Sequence, residues 1–254
     1  MKVIVCCKIV PSENSIKFNG DRSLDFSNAE YEVSQYDLNA IEAASRITAQ
    51  CEGSTLAAVT VGGDCAAAPK MKKSILSRGP AELFAAADAG FADMDALATA
   101  KLLKSAIELA GGADLVICGE GSGDMYNQQT GSMLGALLGV TTLNGISGLS
   151  MDGGTLIAER SVEDGVEVLE VSLPAVLSVT SDINLPRIPS MRDIMGAGKK
   201  PSAVYTAAET VPAANSIETR SILAPEKTER RKEIFFGNGD EAVNQFCDAL
   251  GKLI

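Results

Sequence analysis

Residues 119–130, GEGSGDMYNQQT, follow an apolar run and precede residues with helical spacing. A strand, a glycine loop and a helix in that order can cradle a phosphate. The glycines let backbone amides come close, and the helix N-terminus adds partial positive charge. The spacing departs from the familiar fingerprints: Asp124 takes the third glycine position of G-x-G-x-x-G, and no Gly-Lys-Ser/Thr follows. From spacing alone, Gly119, Gly121, Ser122 and Gly123 read either as a nucleotide loop or as a tight strand-to-helix turn. Asp124 suits ribose hydroxyls or a helix cap. Asn127, Gln128, Gln129 and Thr130 sit where side chains hold phosphate or cap a first turn.

The other candidate nucleophiles are six cysteines, Cys6, Cys7, Cys51, Cys65, Cys118 and Cys247, in a chain without histidine or tryptophan. The missing imidazole excludes serine–histidine triads, histidine metal sites and imidazole acid–base catalysis. No C-x-x-C pair occurs, and the spacing matches no zinc or iron–sulfur pattern. Scattered thiols in an acidic chain point to a reducing cytoplasm. Cys6 and Cys7, adjacent on an expected strand, point to opposite faces. They read as small buried hydrophobes, or as the centre of a thiol enzyme that lacks a histidine partner and a resolving cysteine.

The surrounding elements alternate. Residues 3–10, 56–61, 83–87 and 115–118 are apolar strand candidates. Residues 35–49 have helical periodicity with Ser34 as a candidate N-cap; 69–77 begin with Pro69; 128–138 form another helix. A long helix follows Asp93, its candidate cap, with Leu102, Leu103, Ile107 and Ala110 inward, and Gly111 and Gly112 end it. Strands alternating with helices predict an α/β fold: a doubly wound, mostly parallel sheet with helices on both faces. Residues 155–160, 166–172 and 175–180 read as strands of an added hairpin. From Asp182 the pattern is lost, and five of the nine prolines lie between Pro186 and Pro225. This predicts a main domain over residues 1–200 and, over 201–254, an extended arm ending in a helix at 240–253. Pattern alone leaves open whether that helix docks on a partner or folds back.

Composition narrows the classes. The 254 residues are 46% hydrophobic and 22% charged, so the chain is globular. A net charge of −11 opposes nonspecific binding to nucleic acid or to an anionic membrane. The opening MKVIVCCKIV reads as a first strand rather than a signal peptide, and no run of 18 apolar residues exists to insert in a membrane.

One further stretch carries a family likeness. Residues 158–178, AERSVEDGVEVLEVSLPAVLS, resemble the signature of the beta subunit of electron-transfer flavoprotein through Arg160, Glu163, Asp164, Gly165, Glu167, Leu169, Pro174, Val176, Leu177 and Ser178. The resemblance extends through Lys8, through Gln35-Tyr-Asp37 with Glu42, through Gln129 and Gly131, and through Asn184-Leu-Pro-Arg187 followed by Ile194-Met195. It is to the branch tied to anaerobic acyl-CoA and carnitine metabolism.

The resemblance implies an adenine-nucleotide-binding α/β domain that pairs with an FAD-carrying alpha subunit in a heterodimer. That pair acts as an electron carrier, not a stand-alone catalyst, and exchanges electrons with an acyl-CoA dehydrogenase-type flavoenzyme. Carried over by position, the nucleotide touches Cys6, Ser34, Gln35, Tyr36, Asp37, Val61 and the loop 119–130. It is AMP or, in electron-bifurcating members, a second FAD. Bifurcating relatives carry Asp-Gly-Asp-Thr-Ala-Gln where this chain has Asp124-Met-Tyr-Asn-Gln-Gln129, so only the outer residues agree. The further carboxylates of AMP-binding relatives are missing too. The branch favours FAD, with Tyr126 either stacking on a second ring or filling its slot. The family's recognition loop maps to the broken segment with Pro189, Met191 and Ile194, Met191 being the apolar anchor. Phe235 and Phe236, after the basic run 227–232, are expected to bury against the alpha subunit. Two rival readings remain: a stand-alone adenine-nucleotide module of the stress-protein kind, and the thiol enzyme.

Overall fold

The computed structural model describes residues 1–210, 214–226 and 231–253. The chain divides into a large unit, residues 1–17 with 25–221, and a small one, residues 18–24 with 222–254.

In the large unit, β1 (Lys2–Cys7) is followed by a short β2 (Ile9–Pro11). A two-stranded ribbon, β3 (Lys17–Phe18) with β4 (Leu24–Asp25), whose Phe18 and Leu24 fall in the small unit, precedes β5 (Tyr31–Val33), which pairs with β2. Then come α1 (Gln35–Gln50), β6 (Thr55–Gly62), α2 (Pro69–Leu76), β7 (Glu82–Ala87), α3 (Ala96–Leu109), β8 (Leu115–Gly119) and α4 (Thr130–Leu138). β9 (Thr141–Asp152), β10 (Thr155–Val162), β11 (Gly165–Val171) and β12 (Ala175–Val179) follow, then α5 (Met191–Ala197) and β13 (Ser202–Tyr205).

Nine strands form one sheet in the order β11-β10-β9-β12-β8-β1-β6-β7-β13. It is parallel from β9 to β13, and only β10 and β11 run antiparallel to their neighbours. Strand periodicity splits β1 between two cores: Val3, Val5 and Cys7 face α1 and α2, while Ile4 and Cys6 face α3 and α4. Ile41, Ala44 and Ile47 of α1 bury in the first core, and Leu102, Leu103, Ala106 and Ile107 of α3 in the second. Helices therefore cover both faces, as a doubly wound fold requires.

Several expectations are corrected. The run 175–180 is not part of the added hairpin. As β12 it lies parallel between β8 and β9, fully inside the sheet. β9 escaped the sequence reading because TTLNGISGLSMD carries two glycines and buries only Ile146 completely. Asp95, not Asp93, caps α3, accepting from the Ala98 amide at 2.7 Å; Asp-Met-Asp offers two caps, and the helix begins after the second. The sheet domain continues beyond residue 200, because Ser202–Tyr205 pairs with β7 as an edge strand. The antiparallel end of the sheet is acidic and partly apolar: Glu167 and Glu170 lie on β11, Glu163 and Asp164 in its turn, and Val162, Val166 and Val168 are exposed.

The small unit is held by a Ser23–Leu223 bridge and an Arg22–Glu226 ion pair of 2.9 Å. In it α6 (Asp240–Gly251) buries no residue, and Phe235 meets Phe246 edge-on, ring centroids 5.9 Å apart. Phe236 is 85% exposed. Of the basic run 227–232, residues 227–230 lie outside the described residues.

Candidate functional site

A cavity of about 350 Å³ opens at the carboxyl ends of β1, β6 and β8, where open α/β sheets bind ligands. Cys6, Cys7, Lys8, Val61, Cys118 and Gly119 line its strand side. Gly121, Ser122, Asn127, Gln128, Gln129 and Thr130 form the loop side, and Asp37 enters from the first turn of α1. Of the residues implicated by sequence, Cys6, Asp37, Val61, Gly119, Gly121, Ser122, Asn127, Gln128, Gln129 and Thr130 therefore converge. Ser34, Gln35, Tyr36, Gly123 and Asp124 do not line the cavity.

The outlying residues have structural work. Ser34 precedes α1, yet its hydroxyl makes no cap bond; it accepts instead from the Gly123 amide at 3.3 Å and so ties the loop to the helix. Asp124 ion-pairs with Lys8 at 2.6 Å and accepts from Ser122 and Met125. These partners hold its carboxyl below the usual range although partial burial opposes them. Tyr126 stands over Gly121, its ring centroid 5.0 Å from that of Tyr36; a Cβ on Gly121 would fall 2.4 Å from the Tyr126 ring. Tyr126 and Gln128 take left-handed backbone conformations, at φ 44° and 55°, so the loop is tightly wound.

Asp37 is the chemical centre of the construction. Its two carboxylate oxygens accept from the Lys8 amide at 2.7 Å and the Gly119 amide at 3.2 Å, joining the ends of β1 and β8. Burial pushes its carboxyl up to about 7, against the two amides and the Lys8 ammonium, which pull it down. At the opposite wall, α4 starts at Thr130 with no side-chain cap, which leaves its first-turn amides open to an anion. Cys6 and Cys7 are buried, which disfavours their thiolate forms. A hydrogen bond with Cys118 and burial push Cys6 up, and burial pushes Cys7 up. This weighs against the Cys6–Cys7 pair as a nucleophilic centre.

Sequence reasoning missed the third wall. Ile217 and Thr219 line the cavity beside Met94, Asp95 and Thr99. Their segment is strapped to the start of α3: Asp95 accepts from the Ser216 and Ile217 amides, and Asn215 accepts from the Asp95 amide while donating to the Asp93 carbonyl. The only signal was the carboxylate pair Asp93 and Asp95, since nothing in a proline-rich stretch marks residues 215–219 as site-forming.

A doubly wound α/β sheet with one glycine-walled cleft at its carboxyl edge defines the class of protein. Within that class, residues 23–210 match the electron transfer flavoprotein domain. The chain belongs to the electron transfer flavoprotein family, a family of electron-transport flavoproteins. Among the described residues no helix is long and apolar enough to cross a membrane.

Proposed function

We propose that this chain is the beta subunit of a heterodimeric electron-transfer flavoprotein that exchanges electrons with an acyl-CoA dehydrogenase-type flavoenzyme. The carrying observation is the cleft: an uncapped helix N-terminus, a backbone-walled loop and the Asp37 carboxyl meet at the carboxyl edge of the parallel sheet. A second flavin there would supply redox chemistry; the protein binds and orients it. Gln129, Thr130 and the α4 amides suit the phosphates, while Val61 and Cys6 border the adenine half. In the small unit, the apolar side chains Ile234, Phe236, Val243 and Leu250 stand exposed; we assign them, with Phe235, to the alpha subunit, which a stand-alone nucleotide module would not require.

FAD is the proposed nucleotide, as in the anaerobic branch; two flavins in one heterodimer are what bifurcation uses. The cavity volume, near the lower end for small-molecule pockets, and the seating of Tyr126 on Gly121 favour a second reading, AMP. Acid release of nucleotides from the purified heterodimer tests both. About two FAD per heterodimer is expected. One FAD with one AMP would assign AMP to this subunit, and one FAD with no AMP would remove the nucleotide reading.

The dehydrogenase is assigned to residues 185–195. Leu185, Ile188, Met191 and Met195 are between 71% and 94% exposed, a concentration of apolar surface that marks interaction sites. Pro189 and Ile194 frame Met191, whose flexible thioether suits an adaptable contact. Met191→Ala is expected to slow electron delivery several-fold at subsaturating dehydrogenase, with nucleotide content unchanged. Unaltered rates in stopped-flow mixing would withdraw the anchor role.

A further inference from the structure

We propose that Asn39 and Glu42 of α1 are positioning residues for this docking surface, acting through a polar clamp on Asn184 and Arg187; the proposal rests on the docking role assigned above.

The segment between β12 and α5 needs such a device. No side chain from Ser181 to Gly196 is fully buried, and only Ile183, half-buried at the near end, packs against the core, so apolar packing leaves residues 184–196 weakly held. Its far end is secured by the buried Ala197 and by Lys200, whose ammonium donates to the Leu76 and Pro80 carbonyls at 2.7 and 2.6 Å. A capping box between Ser190 and Asp193 shapes the start of α5 locally.

Its near end is held from α1. The Asn39 amide donates to the carbonyls of Ser181 and Asn184 at 2.9 and 2.7 Å, and the Asn184 amide returns a bond to the Asn39 carbonyl at 3.0 Å. One turn on, Glu42 takes Arg46 on one oxygen at 2.7 Å and Arg187 on the other at 2.6 Å. Its side chain is only 7% exposed, whereas both guanidinium groups reach water. Two charged partners therefore satisfy a carboxylate withdrawn from solvent, which makes these bonds stronger than surface pairs.

Leu185 and Ile188 flank Arg187, so the clamp sets where the exposed apolar side chains stand. A docking surface fixed before encounter loses less freedom on binding. Removing the clamp should weaken recognition without altering the electron-transfer step. This also gives physical roles to Asn184, Arg187 and Glu42, which carried part of the family likeness.

The test uses the intact heterodimer with purified acyl-CoA dehydrogenase from the same organism. Arg187→Ala, Glu42→Gln, their double variant and Met191→Ala are compared. Arg187→Ala removes a half-exposed side chain and leaves Glu42 paired with Arg46, so it reports even if Glu42→Gln folds poorly. Arg187→Ala and Glu42→Gln should each raise the KM for the dehydrogenase about three- to tenfold, with the limiting rate within about twofold and nucleotide content unchanged. The double variant should be no worse than the worse single variant, as expected for residues acting as one unit. Without any partner, trypsin should cut after Arg192 faster in Arg187→Ala. If Met191→Ala raises KM but Arg187→Ala and Glu42→Gln do not, the clamp is overturned and the docking surface stands. If none of the three does, the docking reading itself falls. Additive effects in the double variant would make Arg187 a direct contact and overturn the positioning role.

Discussion

Gly119→Ala is expected to strip the heterodimer of this subunit's nucleotide and to destabilise the chain by about 2 kcal/mol. Gly119 ends β8 where the first turn of α1 crosses it. An added Cβ would stand 2.7 Å from an Asp37 oxygen, 2.8 Å from the Tyr36 Cβ and 2.9 Å from the Tyr36 carbonyl carbon. The Tyr36 carbonyl is backbone and cannot swing aside, so the helix must retreat from the sheet. That retreat lengthens the Gly119 amide bond to Asp37 and opens the cavity wall. Thermal unfolding should fall by about 4–8 °C for a domain of this size. Gly123→Ala is the control, since its Cβ would meet only a Val10 methyl at 3.9 Å. A Gly119→Ala protein with full nucleotide content and unchanged melting would show that the close approach matters little.

The second large effect is a pH dependence centred on Asp37. Its carboxyl titrates near 7 in the folded chain and near 4 when unfolded. Between those values the folded state holds a proton that the unfolded state has lost. Asp37 therefore contributes stability that is fully present below about pH 4 and is lost as pH rises through 7. A shift of about three units corresponds to roughly 4 kcal/mol across the whole window. Asp37→Asn keeps the shape and cannot ionise, though one of the two amides then faces an NH₂ group, at a pH-independent cost of about 1–3 kcal/mol. Urea unfolding from pH 5 to 8 should show the wild type losing stability relative to Asp37→Asn as pH rises. A constant gap between the two proteins would mean that Asp37 is ionised throughout.

The parts of this molecule that follow simple periodicity were legible without coordinates. β1, β6, β8, α1 and α3 announce themselves because each buries one continuous or evenly spaced apolar set, and the two cores follow from that alternation. The loop 119–130 was visible because glycines after a buried strand have few other uses. β9 and β13 were not legible, since an edge or half-covered strand needs no apolar run, and α5 was hidden by Pro186 and Pro189. Asp37 entered the sequence reading only through the family likeness, as a nucleotide contact. Only folding places it between the ends of β1 and β8, and no local pattern reports a contact between residues 37 and 119. The strap carrying Ile217 and Thr219 was illegible for the same reason.

The antiparallel end of the sheet bears on colloidal behaviour. β11 presents an unpaired backbone edge with Val166 and Val168 beside it, a template on which another chain could extend the sheet. Glu163, Asp164, Glu167 and Glu170 act as gatekeepers there, because a second copy would have to bring a like-charged row against them. The protection is electrostatic, so its strength follows the solvent: salt screens it, and near the isoelectric point of about 4.6 the net repulsion between chains vanishes. Purification at neutral pH and modest ionic strength keeps that guard in place, whereas acid precipitation steps invite strand-to-strand polymerisation at this edge.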